Sequence, residues 1–229
     1  TDITNFDLRW EYFMKPGEVV SLSGFYKNFI NPIEIVAYKP ETPNNFTPRN
    51  AESANVYGAE LELKKSISFI SESLKNFFLG TNVSYIVSQV RMTDAEILGR
   101  ENEAREGQVI GDSRVMQGQA PYIFNAFLNY SNKEKGLNFN ASYNVQGPKL
   151  SIVGIGRVAD VYTEPFNSLN FKASYAFGQA QNMHLSLSAK NLLADDRLQV
   201  YKSYEAQDQV FNRFLPMRTF SAGFSYSIK

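Results

Sequence analysis

Tyr122-Ile123-Phe124-Asn125-Ala126-Phe127-Leu128-Asn129-Tyr130, a polar break at Ser131-Asn132-Lys133-Glu134-Lys135-Gly136, and then Leu137-Asn138-Phe139-Asn140-Ala141-Ser142-Tyr143-Asn144-Val145 form the stretch that decides the fold. Successive side chains of a strand point to opposite faces. One face of the hairpin therefore carries Tyr122, Phe124, Ala126, Leu128, Tyr130, Leu137, Phe139, Ala141, Tyr143 and Val145. The other is nearly all amide and hydroxyl, with Asn125, Asn129, Asn138, Asn140, Ser142, Asn144 and then Gln146.

A soluble antiparallel sheet alternates in the same way, apolar inward and polar outward. Two features point elsewhere. The polar face is built from Asn and Ser more than from Lys and Glu, and the apolar face begins and ends in Tyr. Aromatic girdles of that kind stand where a membrane barrel meets the lipid headgroups. Recurrence of the pattern along the chain decides between the two.

It recurs. A first strand sets Phe6, Leu8, Trp10, Tyr12 and Met14 against Asn5, Asp7, Arg9 and Glu11, and Lys15-Pro16-Gly17 closes it in a tight turn. A second, Glu18 to Ile30, has Val20, Leu22, Gly24 and Tyr26 as its apolar set, with Phe25 on the opposite parity. A third, about Ala54 to Lys65, sets Tyr57, Ala59, Leu61 and Leu63 against Val56, Gly58, Glu60 and Glu62. A link around Ser68 to Lys75 leads to a fourth strand with Phe77, Leu79, Thr81, Val83, Tyr85 and Val87 on one side. The opening hairpin supplies the fifth and sixth. The seventh carries Leu169, Phe171, Ala173 and Tyr175; the eighth carries Met183, Leu185, Leu187 and Ala189; the last carries Phe220, Ala222, Phe224, Tyr226 and Ile228.

The connections between these nine strands alternate short and long. The long ones are a stretch with Pro32, Pro40, Pro43 and Pro48, whose prolines argue against a continuous strand, then about Thr93 to Ala120, Gly147 to Pro165, and Leu192 to Pro216. Membrane barrels have this two-sided rhythm of tight periplasmic turns and extended outer loops. A sandwich spaces its turns more evenly.

Composition excludes several classes. Lys+Arg and Asp+Glu number 23 each, so no nucleic-acid partner is implied. With no Cys, disulfides and thiolate metal sites are absent; a single His argues against a His-cluster metal site or a conventional Ser–His–Asp machine. No run of about 18 apolar residues offers a transmembrane helix, which leaves barrel strands untouched. No cofactor is expected. The start carries no signal peptide and opens directly into a strand, as expected if upstream residues have been removed.

Three local features invite a chemical role. Glu60 and Glu62 share a face, as a cation or acid–base pair would, or as a water-facing lumen stripe would. The loop from Thr93 to Ala120 holds Asp94, Glu96, Glu101, Glu103, Glu106 and Asp112 with Arg100, Arg105 and Arg114; a helical turn or two is expected in its centre, and a ligand, a divalent ion or plain solvent is its counterpart. Gly154-Ile155-Gly156-Arg157 lacks the strand-then-helix context of a phosphate loop. His184 falls on the polar face beside a short turn, a structural or solvated position.

Tyr57-Gly58-Ala59-Glu60-Leu61-Glu62-Leu63, Gln117-Gly118-Gln119-Ala120-Pro121-Tyr122, Lys190-Asn191-Leu192-Leu193 and Arg218-Thr219-Phe220-Ser221-Ala222-Gly223-Phe224-Ser225-Tyr226 together resemble the C-terminal barrel half of TonB-dependent outer-membrane receptors, most closely those of Bacteroidota. The resemblance runs over nearly the whole chain. It implies a barrel of about 22 strands with a plugged lumen, of which residues 1–229 would be roughly the last nine. It also implies import of a scarce nutrient (siderophore, cofactor, peptide or glycan), driven by the TonB energy-transducing complex through a plug that this chain does not contain. Such barrels usually end in an aromatic residue, whereas this chain ends Ile228-Lys229.

The expected fold is thus all-β, a transmembrane antiparallel barrel in the bacterial outer membrane. Its expected partners are the bilayer, lipopolysaccharide, the TonB complex, and a surface lipoprotein or other outer-membrane protein. Ligand contact is expected from Arg49, Arg100, Arg105, Arg114, Tyr162 and Arg213, because the planar guanidinium fork suits carboxylates and phosphates. The alternatives are a barrel subunit of a secretion or assembly complex without transport, an outer-membrane hydrolase using His184, and a soluble secreted sandwich.

Overall fold

The computed structural model describes residues 1–37 and 45–227. Pro40, Pro43, Ile228 and Lys229, which entered the sequence reading, lie outside the described residues. In chain order the strands are β1 (Asp2–Lys15), β2 (Glu18–Ile30), β3 (Ile33–Ala37), β4 (Thr47–Asn50), β5 (Ser53–Ser66) and β6 (Phe77–Arg91). Helix α1 (Asp94–Asn102) and the short β7 (Ser113–Arg114) precede β8 (Tyr122–Asn132), β9 (Leu137–Gln146), β10 (Lys149–Gly154), β11 (Asp160–Thr163) and β12 (Phe166–Phe177). The chain continues through β13 (Met183–Lys190), β14 (Arg197–Lys202), β15 (Gln209–Phe214) and β16 (Thr219–Tyr226).

Nine of these make one antiparallel meander in the order β1-β2-β5-β6-β8-β9-β12-β13-β16, with β7 attached to the outer end of β6. They are the nine strands expected from alternation. The register lines up the faces. Glu11, Ser21, Glu62, Asn82, Asn125, Asn144 and Ser168 stand opposite one another across seven neighbouring strands. One residue along, Trp10, Leu22, Leu61, Val83, Phe124 and Val145 form an apolar row. Leu79, Leu128, Ala141, Phe171, Ala189 and Phe220 form another nearer the opposite edge. A slip by one residue would invert every face, so the pattern pins the pairing.

No second protein layer covers the apolar face among the described residues. Phe6 is 68% exposed, Trp10 58%, Phe220 70% and Phe224 65%. A soluble sheet hides such rows against a core. A wall whose aromatic and aliphatic rows all face outward requires an apolar solvent, and lipid supplies it.

Two of the aromatics on the inward parity share a cause. Phe25 stands opposite Gly58, and Phe127 opposite Gly80. Each ring folds over its glycine: a Cβ at Gly58 would come within 2.8 Å of Phe25 Cζ, and one at Gly80 would run into the Phe127 ring. Glycine within a strand marks such close approach, and an aromatic laid across it restores the cover a side chain would have given. Phe25 is therefore an inward residue with a partner.

The four long connections are the departure from expectation. Three of them supply the strands of a second, six-stranded sheet in the order β15-β14-β11-β10-β3-β4, with β10 and β3 paired in parallel, and the connection after β6 carries α1 and β7. Pro48 sits within β4 opposite Ile35. It is tolerated because β4 is the edge of this sheet, where a missing N–H costs no ladder bond. The buried core lies here, around Val36, Leu150 and Val153 and around Ala37, Ile152 and Val161. A smaller cluster of Ala51, Ala54 and Val90 roots the loops on β5 and β6.

Candidate functional site

Five charged residues of alternating sign run through the loop layer. Glu34 of β3 accepts from Arg114 of β7 at both carboxylate oxygens, at 3.0 and 2.6 Å. Arg114 Nε donates to Glu96 of α1 at 2.7 Å, and Glu96 lies 3.4 Å from Arg100 one turn on. Arg100 donates to both oxygens of Asp160 of β11, at 3.3 and 3.1 Å, and to the Gly154 carbonyl at 3.2 Å. Asp160 in turn accepts from the Gly154 N–H at 2.8 Å. The chain of charges joins three separate loops.

The sequence builds this locally. Thr93 caps α1, its hydroxyl accepting from the Glu96 N–H at 3.3 Å. That fixes the helix start, and the i,i+4 spacing then sets Glu96 and Arg100 on one face. Arg49 of β4 donates to the same Thr93 hydroxyl at 2.7 Å. Gln117 staples the sheet: its amide oxygen accepts from the Ile35 N–H at 2.7 Å, and its amide nitrogen donates to the Ile35 and Ser151 carbonyls at 2.9 and 2.7 Å.

Burial makes the network consequential. The side chains of Arg114, Glu34 and Glu96 are 9%, 2% and 4% exposed. Burial disfavours the Arg114 charge, but its hydrogen bonds to Glu34 and Glu96 outweigh that and raise its pKa further. Burial, reinforced by Asp160, also pushes the Tyr162 hydroxyl above its ordinary value.

Beyond Arg100 the network opens onto a cleft of about 390 Å³ between the loops, lined among others by Arg105, Glu103, Arg157, Asp160, Lys202 and Tyr204. Of the six residues expected to contact ligand, the fold brings Arg100 and Arg105 together at this cleft. Arg114 is buried one step behind them. Arg49 supports the α1 cap. Tyr162 packs against the core of the loop sheet, with Lys202 Nζ 5.7 Å from its ring centre. Arg213 stands apart, paired with Asp196. Sequence reasoning passed over Glu34, Gln117, Asp160, Arg157 and Lys202. Gln117 lies in the Gln117–Tyr122 motif and Arg157 ends the Gly154–Arg157 stretch set aside as a phosphate loop, whereas the others gave no signal beyond being charged loop residues.

His184 is exposed at the short-turn end of β13, opposite Ala176 and Ser225. That is the end away from the loop layer, where an outer-rim hydrolase has no use for it. Glu60 and Glu62 face the lumen: Glu60 accepts from Ser84 at 3.2 Å, and Glu62 takes Arg9 at 2.8 Å. Among the described residues no group of three or more acidic or imidazole side chains converges as a metal site.

A sequence model of the family described as TonB dependent receptor-like, beta-barrel matches residues 2–192. No curated protein matches the chain. Among solved structures, the ferric citrate transporter FecA in its unliganded form is similar over 97% of this chain and 31% of its own, with 12% identity and a TM-score of 0.65. The copper transporter OprC is similar over 98% of this chain and 31% of its own, with 15% identity and a TM-score of 0.61. The ferric enterobactin receptor of Pseudomonas aeruginosa, in complex with enterobactin, gives 98%, 31%, 18% and 0.58. At such identities the likeness is one of fold, and the chain spans less than a third of each of these proteins.

Proposed function

Because this chain belongs to the TonB dependent receptor-like β-barrel family, whose barrels lie in the outer membrane, we propose that it is the C-terminal wall and part of the ligand-reading surface of a receptor that imports a scarce nutrient. Residues 1–229 form the last nine strands of a larger barrel. TonB drives uptake through a plug outside this chain. The protein is a receptor and not an enzyme, and its other contacts are lipid, lipopolysaccharide and, at the loop face, a surface lipoprotein.

The observation that carries this reading is the pairing of two surfaces in one chain. A wall with segregated lipid and water faces is crowned by a sheet-paired, charged, cleft-bearing loop layer. A structural barrel needs the wall alone. The solved transporters and receptors of similar fold, named for ferric citrate, copper and ferric enterobactin, support a small scarce solute as the cargo.

The test is a deletion of the gene, grown with one nutrient class limiting at a time: chelated metals, cofactors, peptides and glycans. A growth defect confined to one class, and reproduced by deletion of TonB, is expected. Normal growth in every medium, with loss of an outer-membrane assembly instead, would replace import by the subunit reading.

A further inference from the structure

The chemistry of the loop cleft names a ligand class, and this inference rests on the receptor reading above. We propose that the cleft between α1, the β10–β11 turn and the end of β14 binds a ligand carrying two or more carboxylate or phosphate groups, held chiefly by Arg105 and Arg157.

Four cations line the cleft, Arg100, Arg105, Arg157 and Lys202, against two carboxylates, Glu103 and Asp160. Three different loops supply them, so their convergence is a product of the fold. Donors outnumber acceptors by more than the charges suggest, because a guanidinium offers five N–H groups and accepts none. Arg105 has no carboxylate within 4.0 Å among the described residues, and both it and Arg157 are exposed to the cleft. Arg157 makes one ion pair, to Glu103 at 3.2 Å. The buried Nε of Arg100 has no hydrogen-bond partner among the described residues. Lys202 is already neutralised, its Nζ lying 2.7 Å from Glu164 Oε1 and 3.7 Å from Asp208 Oδ2, which leaves Arg105 and Arg157 as the cations open to a ligand.

A neutral sugar brings hydroxyl donors along with its acceptors and carries no charge to offset the guanidinium groups. A carboxylate or phosphate brings acceptors alone, in the planar or tetrahedral spacing that a guanidinium grips with two bonds. The network behind the cleft fixes Arg100 in place through Glu96 and Asp160, so that part of the site is ordered before the ligand arrives. Such an anion has two sources, a solute or the phosphates of lipopolysaccharide at the membrane surface.

Full-length protein, purified in detergent, is titrated calorimetrically with inorganic pyrophosphate, with tricarballylate, with neutral raffinose, and with lipopolysaccharide in mixed micelles. At least one anionic probe should bind and raffinose should not. Arg105→Ala with Arg157→Ala should weaken that binding tenfold or more, Glu103→Gln should tighten it severalfold, and Arg213→Ala should leave it within twofold. All four residues are exposed, and unchanged heat-dependent gel migration verifies folding of each variant. Loss confined to the soluble anions assigns the site to a solute; loss confined to lipopolysaccharide assigns it to the membrane surface. Absence of anion binding, or equal binding by the double variant, overturns the proposal. Neither result bears on import, which the growth assay reads separately.

Discussion

The Arg114 guanidinium grips both carboxylate oxygens of Glu34, a residue 80 positions away, and does so in the driest part of the loop layer. Removing one partner of such a pair strands a buried charge, at a cost of about 3–5 kcal/mol. Arg114 also serves Glu96, so Arg114→Met strands Glu34 and leaves Glu96 with Arg100 alone. The loss should be local. Amide exchange should rise across residues 33–37 and 94–102, while the barrel amides of β8, β9 and β12 stay protected. Arg114→Lys should rescue little, because one ammonium cannot reproduce three N–H bonds in a fixed fork.

Asp195 gives the loop above β13 a dependence on acid. Burial favours its neutral form, but the Asn167 N–H and side-chain amide and the Asp196 N–H donate to it and hold its pKa below the usual carboxylate value. A carboxylate depressed on folding stabilises the fold above its unfolded pKa and loses that contribution as pH falls through its folded one. The Asn167 amide should therefore keep its protection factor down to about pH 4 and lose it below. Asp195→Asn should flatten that pH response. A protection factor that falls equally in both proteins would remove Asp195 as the cause.

Gly80 and Phe127 should behave as a coupled pair. Gly80→Ala drives a methyl into the Phe127 ring and should cost about 1–3 kcal/mol by overpacking. Phe127→Ala makes room, so the double variant should be more stable than the sum of the single losses implies. Denaturant unfolding in detergent, run as a double-mutant cycle, measures the coupling. Strict additivity would mean that the ring does not rest on the glycine.

The nine wall strands were legible in the sequence because each is long enough for alternation to show and because both of its solvents are demanding. Val83, Phe124 and Val145 could not be polar, nor could Asn82, Asn125 and Asn144 all be apolar. The loop sheet was not legible. Ile33 to Ala37 and Leu150 to Val153 are too short for periodicity to separate strand from buried turn, and Pro48 spoke against a strand without revealing that its strand is an edge. The same limit applied to the charges. Arg114 and Arg213 look alike in a sequence, yet one is buried between two carboxylates and the other is half exposed beside Asp196. Burial is set by partners 18 and 80 positions away, and no local pattern encodes those.

Charge placed on the outward face should be costly in proportion to depth. Leu61→Arg falls mid-wall and should cost about 2–4 kcal/mol in bilayers. Asn125→Arg, in the adjacent inward row, should cost far less, because its side chain meets water. Folding yields into lipid vesicles at graded urea concentrations report both.

The segregation of faces is tested most directly by labelling, for which the absence of cysteine in this chain is convenient. Single substitutions Leu61→Cys, Phe124→Cys and Phe171→Cys, and their neighbours Glu62→Cys, Asn125→Cys and Lys172→Cys, each carry a nitroxide in the full-length protein in bilayers. Relaxation by dissolved oxygen, which concentrates in lipid, is compared with relaxation by a water-soluble nickel chelate. Oxygen should dominate at the first three positions and nickel at the second three, alternating residue by residue. Equal exposure of both sets to the nickel chelate, or shielding of the first set from both reagents, would contradict a wall set between lipid and a wet lumen.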